Sequence, residues 1–313
     1  MKQQKVSILI PVYNRENLIE ETVKSALSQT YENIEIIVVD NKSTDNTWGI
    51  LQQLALEDKR VKIFQNEKNI GPVRNWKRCI DEATGEYGKI LWSDDLIAPD
   101  FLKKTLPFLQ KEDVGFVYTK TILFHNINDL SNKIYSIGKT GVYKSEKYIQ
   151  GVLFDVNYPV SPGCAIFRMK DLKENLLVDV PNSIGSDFST HAIGNDLLIF
   201  LLTAHKYKLF AYVDEKLSFF RVHDGSITIA SNKGRISLHY ALASSYFIEN
   251  KRIDLVKKQN TSIQILLRRY KKEAKKYKMF NLNNFYTQNE NLGLDYLFLF
   301  RKMASKIKTK LHI

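Results

Sequence analysis

Acidic and amide side chains recur directly after short apolar runs in this chain, a pattern that suits nucleotide and metal chemistry. Asp40 closes the run 34–39, with Asp45 shortly after it. Ser93, Asp94 and Asp95 close the run 89–92. Pro11, Val12, Tyr13, Asn14 and Arg15 follow the run 6–10, and Asn69 lies in the loop 66–72. Adjacent carboxylates are hard oxygen ligands of the kind that hold Mg²⁺ or Mn²⁺ together with substrate phosphates. A carboxylate such as Asp40 can accept a hydrogen bond from a nucleobase N–H. Neither G-x-G-x-x-G nor G-x-x-x-x-G-K-[ST] follows the first run, which disfavours a dinucleotide fold and a Walker-type phosphate loop. What remains is a nucleotide site built from side chains.

Such residues need a scaffold that brings several strand ends to one rim. Residues 6–10, 34–39, 61–64, 89–92 and 115–118 are short apolar runs, as expected of strands buried on both faces. Between them apolar residues recur at helical spacing, as in Leu18, Ile19, Thr22, Val23, Ala26 and Leu27, or Val73, Trp76, Cys79, Ile80 and Ala83. Residues 41–45 carry turn and N-cap chemistry ahead of the helix through Leu51 and Leu54. This alternation predicts an α/β fold with a doubly wound, mostly parallel sheet, whose ligands bind at the carboxyl ends of the strands. From about residue 120 the rhythm loosens. There, 163–168, 210–213 and 217–222 read as strands and 194–206 as a buried helix, with basic-faced helices after about 230.

The 313 residues include 46 Lys and Arg against 34 Asp and Glu, and 44% are hydrophobic. That balance is ordinary for a globular protein and argues against disorder, collagen-like repeats and a disulfide scaffold. Cys79 and Cys164 lack C-x-x-C spacing, which excludes a zinc cluster, and two isolated thiols suit a reducing cytosol. No run approaches the roughly 18 apolar residues of a spanning helix. The run 6–10 is too short for a signal-peptide core, so secretion and membrane spanning are both disfavoured.

The positive charge is concentrated at one end. Residues 251–313 hold 16 Lys and Arg but 4 Asp and Glu, and the first 250 residues are balanced. Two segments, 265–278 and 292–313, mix apolar and basic residues. The second sets Leu297, Phe298, Phe300, Met303, Ile307 and Leu311 near helical spacing, which suits an interfacial helix on an anionic membrane surface. The alternative is a solvated helix packed on the rest of the chain. Charge alone would permit nucleic-acid binding, but no zinc spacing or RNP-type motif supports it, and no nucleic-acid partner is expected.

The segment PVYNRENLIEETVKSALSQTYENIEIIVVDNKSTDNT resembles the opening of the family 2 glycosyltransferases, inverting nucleotide-sugar enzymes of GT-A fold. The similarity continues through NIGPVRNW (69–76), WSDDL (92–96), GNDLLIFL (194–201) and FFRVHDGSI (219–227). It implies a nucleotide-sugar-binding lobe at 1–119, an acceptor-binding and catalytic lobe at 120–229, and a basic helical extension at 230–313. Pro11, Tyr13, Asn14 and Arg15 would line the nucleotide pocket and Asp40 would read the base. Asn69, Gly71, Arg74 and Asn75 would form the loop over the nucleotide, with Ser93 and Asp94 also on the donor.

Asp94 and Asp95 stand at the family's metal motif, whose usual first Asp is Trp92 here, and either could hold Mn²⁺ or Mg²⁺ together with His223. Asp196 stands at the position of the catalytic base, after Asn195 where many members have Glu. The implied reaction is a single in-line transfer from a nucleotide sugar, UDP-linked if Asp40 reads uracil, to a saccharide or polyprenyl-linked acceptor. A carboxylate takes the acceptor proton, and a metal stabilises the leaving diphosphate. Bacterial surface polysaccharide synthesis, such as capsule or lipopolysaccharide, is the implied setting. The implied location is cytoplasmic or peripheral on the inner face of the plasma membrane.

Each residue also has a plainer role. Asp40 with Ser43, and Asp94 with Asp95 ahead of Pro99, could simply cap helices. Asp196 could complement a helix dipole, and His223 could be a satisfied hydrogen-bonding histidine. The rival readings for the whole chain are a nucleotidyltransferase on a similar sheet, a non-catalytic binding protein that kept the fold, and a basic RNA-binding protein.

Overall fold

The computed structural model describes residues 4–125, 131–155, 157–223, 232–288 and 293–310, with the backbone alone for 303 and 305–310. Leu311, the end of the FFRVHDGSI segment and the expected 229/230 boundary lie outside the described residues. The chain divides into two compact units, one formed by 1–178 with 188–226 and the other by 179–187 with 227–313.

The first unit opens with strands and helices in strict alternation. They are β1 (Val6–Val12), α1 (Ile19–Leu27), β2 (Ile34–Asp40), α2 (Thr47–Glu57), β3 (Val61–Gln65), α3 (Pro72–Glu82) and β4 (Tyr87–Ile90). Every residue of β1, β2 and β4 is buried, which is why β1 and β2 read as mostly apolar runs. β5 (Leu96–Ile97), α4 (Phe101–Leu109), β6 (Val114–Phe124), β7 (Asn132–Ile134), β8 (Gly141–Lys144) and α5 (Ser145–Phe154) follow. Then come β9 (Ala165–Arg168), α6 (Met169–Asn175), α7 (Phe188–His191), α8 (Asn195–Lys206) and β10 (Leu209–Arg221).

All ten strands share one sheet, with main order β3-β2-β1-β4-β9-β6-β10-β5. β3, β2, β1 and β4 are parallel, and so are β6 and β10, whereas β9 runs antiparallel between β4 and β6. This is the α/β arrangement expected, mixed but mostly parallel, and flanked by helices. The two lobes expected on either side of residue 120 lie in this one sheet, because β6 runs through that position.

Two elements differ from the sequence pattern for identifiable reasons. The two strands expected at 210–213 and 217–222 are one, β10, which ends at Arg221 and keeps its pairing with β6 across register shifts around Lys216. A bulge there lets the polar residues 214–216 point outward without ending the ladder. β4 stops at Ile90, short of Trp92. The Trp92 indole N–H donates to Ser161 Oγ at 2.8 Å, and its ring packs on Trp76 with centroids 4.8 Å apart.

The second unit is helical, as expected. It comprises α9 (Lys233–Lys251), α10 (Val256–Arg269), α11 (Lys271–Lys276) and α12 (Tyr296–Lys310). α9 buries Leu238, Leu242, Phe247 and Ile248, and Gln259 of α10 donates to the Ala241 carbonyl at 3.1 Å. No helix among the described residues is long and apolar enough to cross a membrane. Cys79 and Cys164 are both free and buried.

Candidate active site

The site gathers at the carboxyl ends of β1, β2 and β4. After β1 the chain turns sharply at Asn14, whose φ is 51°. Asn accepts this left-handed conformation more readily than most residues. Side chains just after β2 hold the turn: Asn14 N–H donates to Ser43 Oγ at 2.9 Å, and Arg15 N–H to Thr47 Oγ1 at 2.8 Å. Pro11 is buried in the strand, Tyr13 is 40% exposed, and Arg15 reaches across to Asp94 Oδ2 at 3.5 Å.

Asp40 is fully buried. Ser43 Oγ donates to its Oδ1 at 2.5 Å and Gln65 Nε2 to its Oδ2 at 2.8 Å. The expected loop 69–76 is organised by an amide network that sequence reading missed. Asn66 Nδ2 donates to Asn41 Oδ1 and Asn75 Oδ1 at 2.8 and 2.9 Å, and Asn41 Nδ2 donates to Asn69 Oδ1 at 2.9 Å. Asn69 and Asn75 therefore bind protein amides. Gly71 has φ 85°, and a Cβ there would lie 3.3 Å from the Ser189 carbonyl. Glycine suits both the conformation and the approach. Arg74 donates to Ser189 Oγ on α7.

Asp94 and Asp95 are adjacent in sequence but face different surroundings. The Asp94 carboxylate meets His223 Nε2 at 2.9 Å as well as Arg15. Asp95 is 5% exposed and turned inward, where its Oδ1 accepts the Arg221 amide N–H at 2.9 Å. Arg221 completes the clasp: its Nε donates to the Asp94 carbonyl at 3.0 Å and its guanidinium pairs with Glu21 Oε2 at 2.5 Å. Burial, followed by the charge of Asp94, pushes the Asp95 carboxyl well above the usual carboxylate range. Beneath them Lys89 is fully buried, with Nζ donating to the carbonyls of Ile90 and Gly163. Burial pulls this ammonium down to about 7.

No group of three or more His, Cys, Asp or Glu side chains is arranged to hold a metal among the described residues. Of the residues expected at a metal, Asp94 and His223 are in direct contact, whereas Asp95 turns its Oδ1 to the Arg221 amide N–H. Asp94 and His223 still form a pair suited to a cation that takes its other ligands from substrate phosphates. Ser93 is buried beside them.

Asp196 lies in the first turn of α8, and its Oδ1 accepts the N–H groups of Gly194 and Leu197 at 3.1 and 2.8 Å. Asn195 is fully buried and donates to the Leu177 carbonyl at 2.8 Å. Tyr135, which no motif flagged, has φ 62°. Its phenol is pushed up by burial first, with Cys164, Asp196 and Asp95 adding to the effect. Its unusual backbone was the available signal, and that is invisible in a sequence.

Comparison with known proteins defines the class. The sequence profile of Glycosyl transferase family 2 matches residues 7–176, and the chain belongs to that family. An uncharacterized glycosyltransferase of Rickettsia conorii is 30% identical over 251 residues, spanning 79% of this chain and 38% of the relative. TuaG of Bacillus subtilis, a glycosyltransferase named for teichuronic acid biosynthesis, is 38% identical over 114 residues, or 36% of this chain and 45% of TuaG. The crystal structure of S. aureus TarS 1–349 in complex with UDP-GlcNAc superposes with a TM-score of 0.61. That match has 19% identity and covers 86% of this chain and 72% of TarS 1–349, a likeness of GT-A fold. The matches to four of the curated relatives span 33–44% of those proteins' lengths.

Proposed function

We propose that the chain is an inverting glycosyltransferase that moves a sugar from a UDP-sugar to a saccharide or polyprenyl-linked acceptor in bacterial surface polysaccharide synthesis. One arrangement carries the reading above all: Asp94 at the strand-end rim, with Arg15 and His223 on its carboxylate. Membership of family 2 supports the reaction class, and the name of TuaG supports the polymer setting. TarS, which shares the fold, binds UDP-GlcNAc, and this supports the donor class.

Asp94 and His223 would hold Mn²⁺ or Mg²⁺, which when bound supplies positive charge to the leaving diphosphate. Arg15 adds a fixed cation on the same side. Asp95 is left to tie the Asp94 loop to the end of β10 through the Arg221 amide N–H. Asp196 accepts the proton of the acceptor hydroxyl as that oxygen attacks the anomeric carbon and the diphosphate departs from the opposite face. One carboxylate base suffices, because no covalent intermediate forms. Uracil recognition asks the base imide to replace the Gln65 amide on Asp40 Oδ2, since both Asp40 oxygens already accept hydrogen bonds. The basic residues 251–313 keep the protein on an anionic membrane surface, where a lipid-linked acceptor resides.

Calorimetric titration with UDP, GDP, CDP and dTDP, each with and without Mn²⁺, tests the reading. Binding of UDP that strengthens with Mn²⁺ is the expected result. Absence of binding by all four would remove the donor site.

A further inference from the structure

We propose that the outward face of α12 is a docking surface for an anionic lipid bilayer. The inference deepens the membrane part of the proposed function and rests on it, but replaces a diffuse basic segment with one helix face.

α12 is fixed to the rest of its unit. Asp295 Oδ1 caps the helix by accepting the Phe298 N–H at 2.9 Å, and the Asp295 N–H donates to Thr261 Oγ1 on α10 at 2.9 Å. Asn260 of α10 donates to the Gly293 carbonyl at 3.0 Å. Phe298 is 9% exposed, with the ammonium groups of Lys258 and Lys302 at 5.1 and 5.4 Å from its ring centroid. With Phe298 facing α10, helical geometry turns Tyr296, Leu297 and Phe300 to the other side. They are 72%, 62% and 70% exposed. Five basic residues follow between Arg301 and Lys310, of which Arg301 is exposed and Lys302 lies against the Phe298 ring.

The other basic segment behaves differently. Around 265–278 the apolar residues are partly or fully buried, with Ala274 and Met279 in the unit's own core, and the α11 lysines form an ordinary solvated face. Among the described residues α12 places three large apolar side chains in water, where 271–280 exposes Phe280 alone, and it carries Arg301 and Lys302 beside them, the composition of a helix lying in a bilayer interface. Charge selects the occupant. A second copy would bring the same strongly positive region against itself, as a two-fold interface pairs identical patches. Anionic headgroups offer the complement, and acyl chains take the aromatic and leucine side chains.

The test uses the full chain and sedimentation with vesicles of phosphatidylcholine, alone or with about one-third phosphatidylglycerol. The wild type is expected to bind the anionic vesicles, more weakly as salt rises, and to leave neutral vesicles in the supernatant. Replacing Leu297→Ser and Phe300→Ser together should weaken binding at least about tenfold, whereas Lys272→Ser with Lys275→Ser in α11 should change it less than about threefold. Both substituted α12 positions are exposed, so the melting temperature should not move. Equal binding by the α12 variant, equal binding to neutral vesicles, or a wild-type dimer that the variant abolishes would each overturn the proposal. UDP titration of the same samples separates the two readings. Vesicle binding without UDP binding would sink the donor site and leave α12 standing; UDP binding without vesicle binding would do the reverse.

Discussion

The two ends of the same parallel strands treat their carboxylates in opposite ways. At the amino end Glu35 is buried at 1% exposure, yet it accepts from Lys5, Lys62, Ser7 Oγ and the Thr84 N–H, each at 2.7 Å. Burial by itself would raise its carboxyl, but those donors hold it well below the usual carboxylate range. At the carboxyl end, Asp94 meets the Arg15 guanidinium and the His223 imidazole, and the buried Asp95 is pushed upward. A carboxylate whose donors come from neighbouring strands locks the base of the sheet. One met by partly exposed side chains at a rim can exchange them for a ligand.

Breaking the amino end should cost stability and little else. Glu35→Ala leaves the Ser7 hydroxyl and the Thr84 amide without their buried acceptor, while Lys5 and Lys62 can return to water. A loss of about 3 kcal/mol is expected in denaturant unfolding, with UDP affinity of the folded protein unchanged. A loss under about 1 kcal/mol would mean the cluster is not a lock. At the other end, Asp196→Asn should lower transfer at least about a hundredfold and spare donor binding. Unchanged turnover would remove Asp196 from the chemistry.

Smaller effects sharpen the contrast. Asp94→Asn should abolish most of the Mn²⁺-dependent gain in UDP affinity, about tenfold or more, with unfolding shifted by less than about 1 kcal/mol. An equal gain in the variant would move the cation elsewhere. The smallest signal is in pH. Because the folded Glu35 carboxyl lies below its unfolded value near 4.5, the stability it contributes is present above that value. It is lost as pH falls toward the folded value. Glu35→Gln should therefore flatten the loss of stability below about pH 4.5; a slope identical to the wild type's would assign that loss to other groups.

Much of the rim was legible because strand ends coincide with changes of residue type. Asp40, Asp94 and Asp95 all follow apolar runs, and the parallel sheet sets their strands on either side of β1. What stayed hidden was pairing across long chain separations. Nothing near Asp95 announces a bond to the amide of Arg221, 126 residues away. Lys89 and Glu35 both sit inside apolar runs, where periodicity predicts burial but says nothing of the partners that make a buried charge tolerable. Asn41 and Asn66 look like loop residues in sequence, and only their mutual hydrogen bonds identify them as the frame of the loop.

The Trp76–Trp92 pair gives the protein a built-in optical gauge. Two of its three tryptophans lie with ring centroids 4.8 Å apart, close enough for their electronic transitions to couple. One of the two comes two residues before Asp94, and its indole is pinned by Ser161. Near-ultraviolet dichroism and intrinsic emission should therefore report on the strand-end rim, so that occupancy can be followed without attaching a dye.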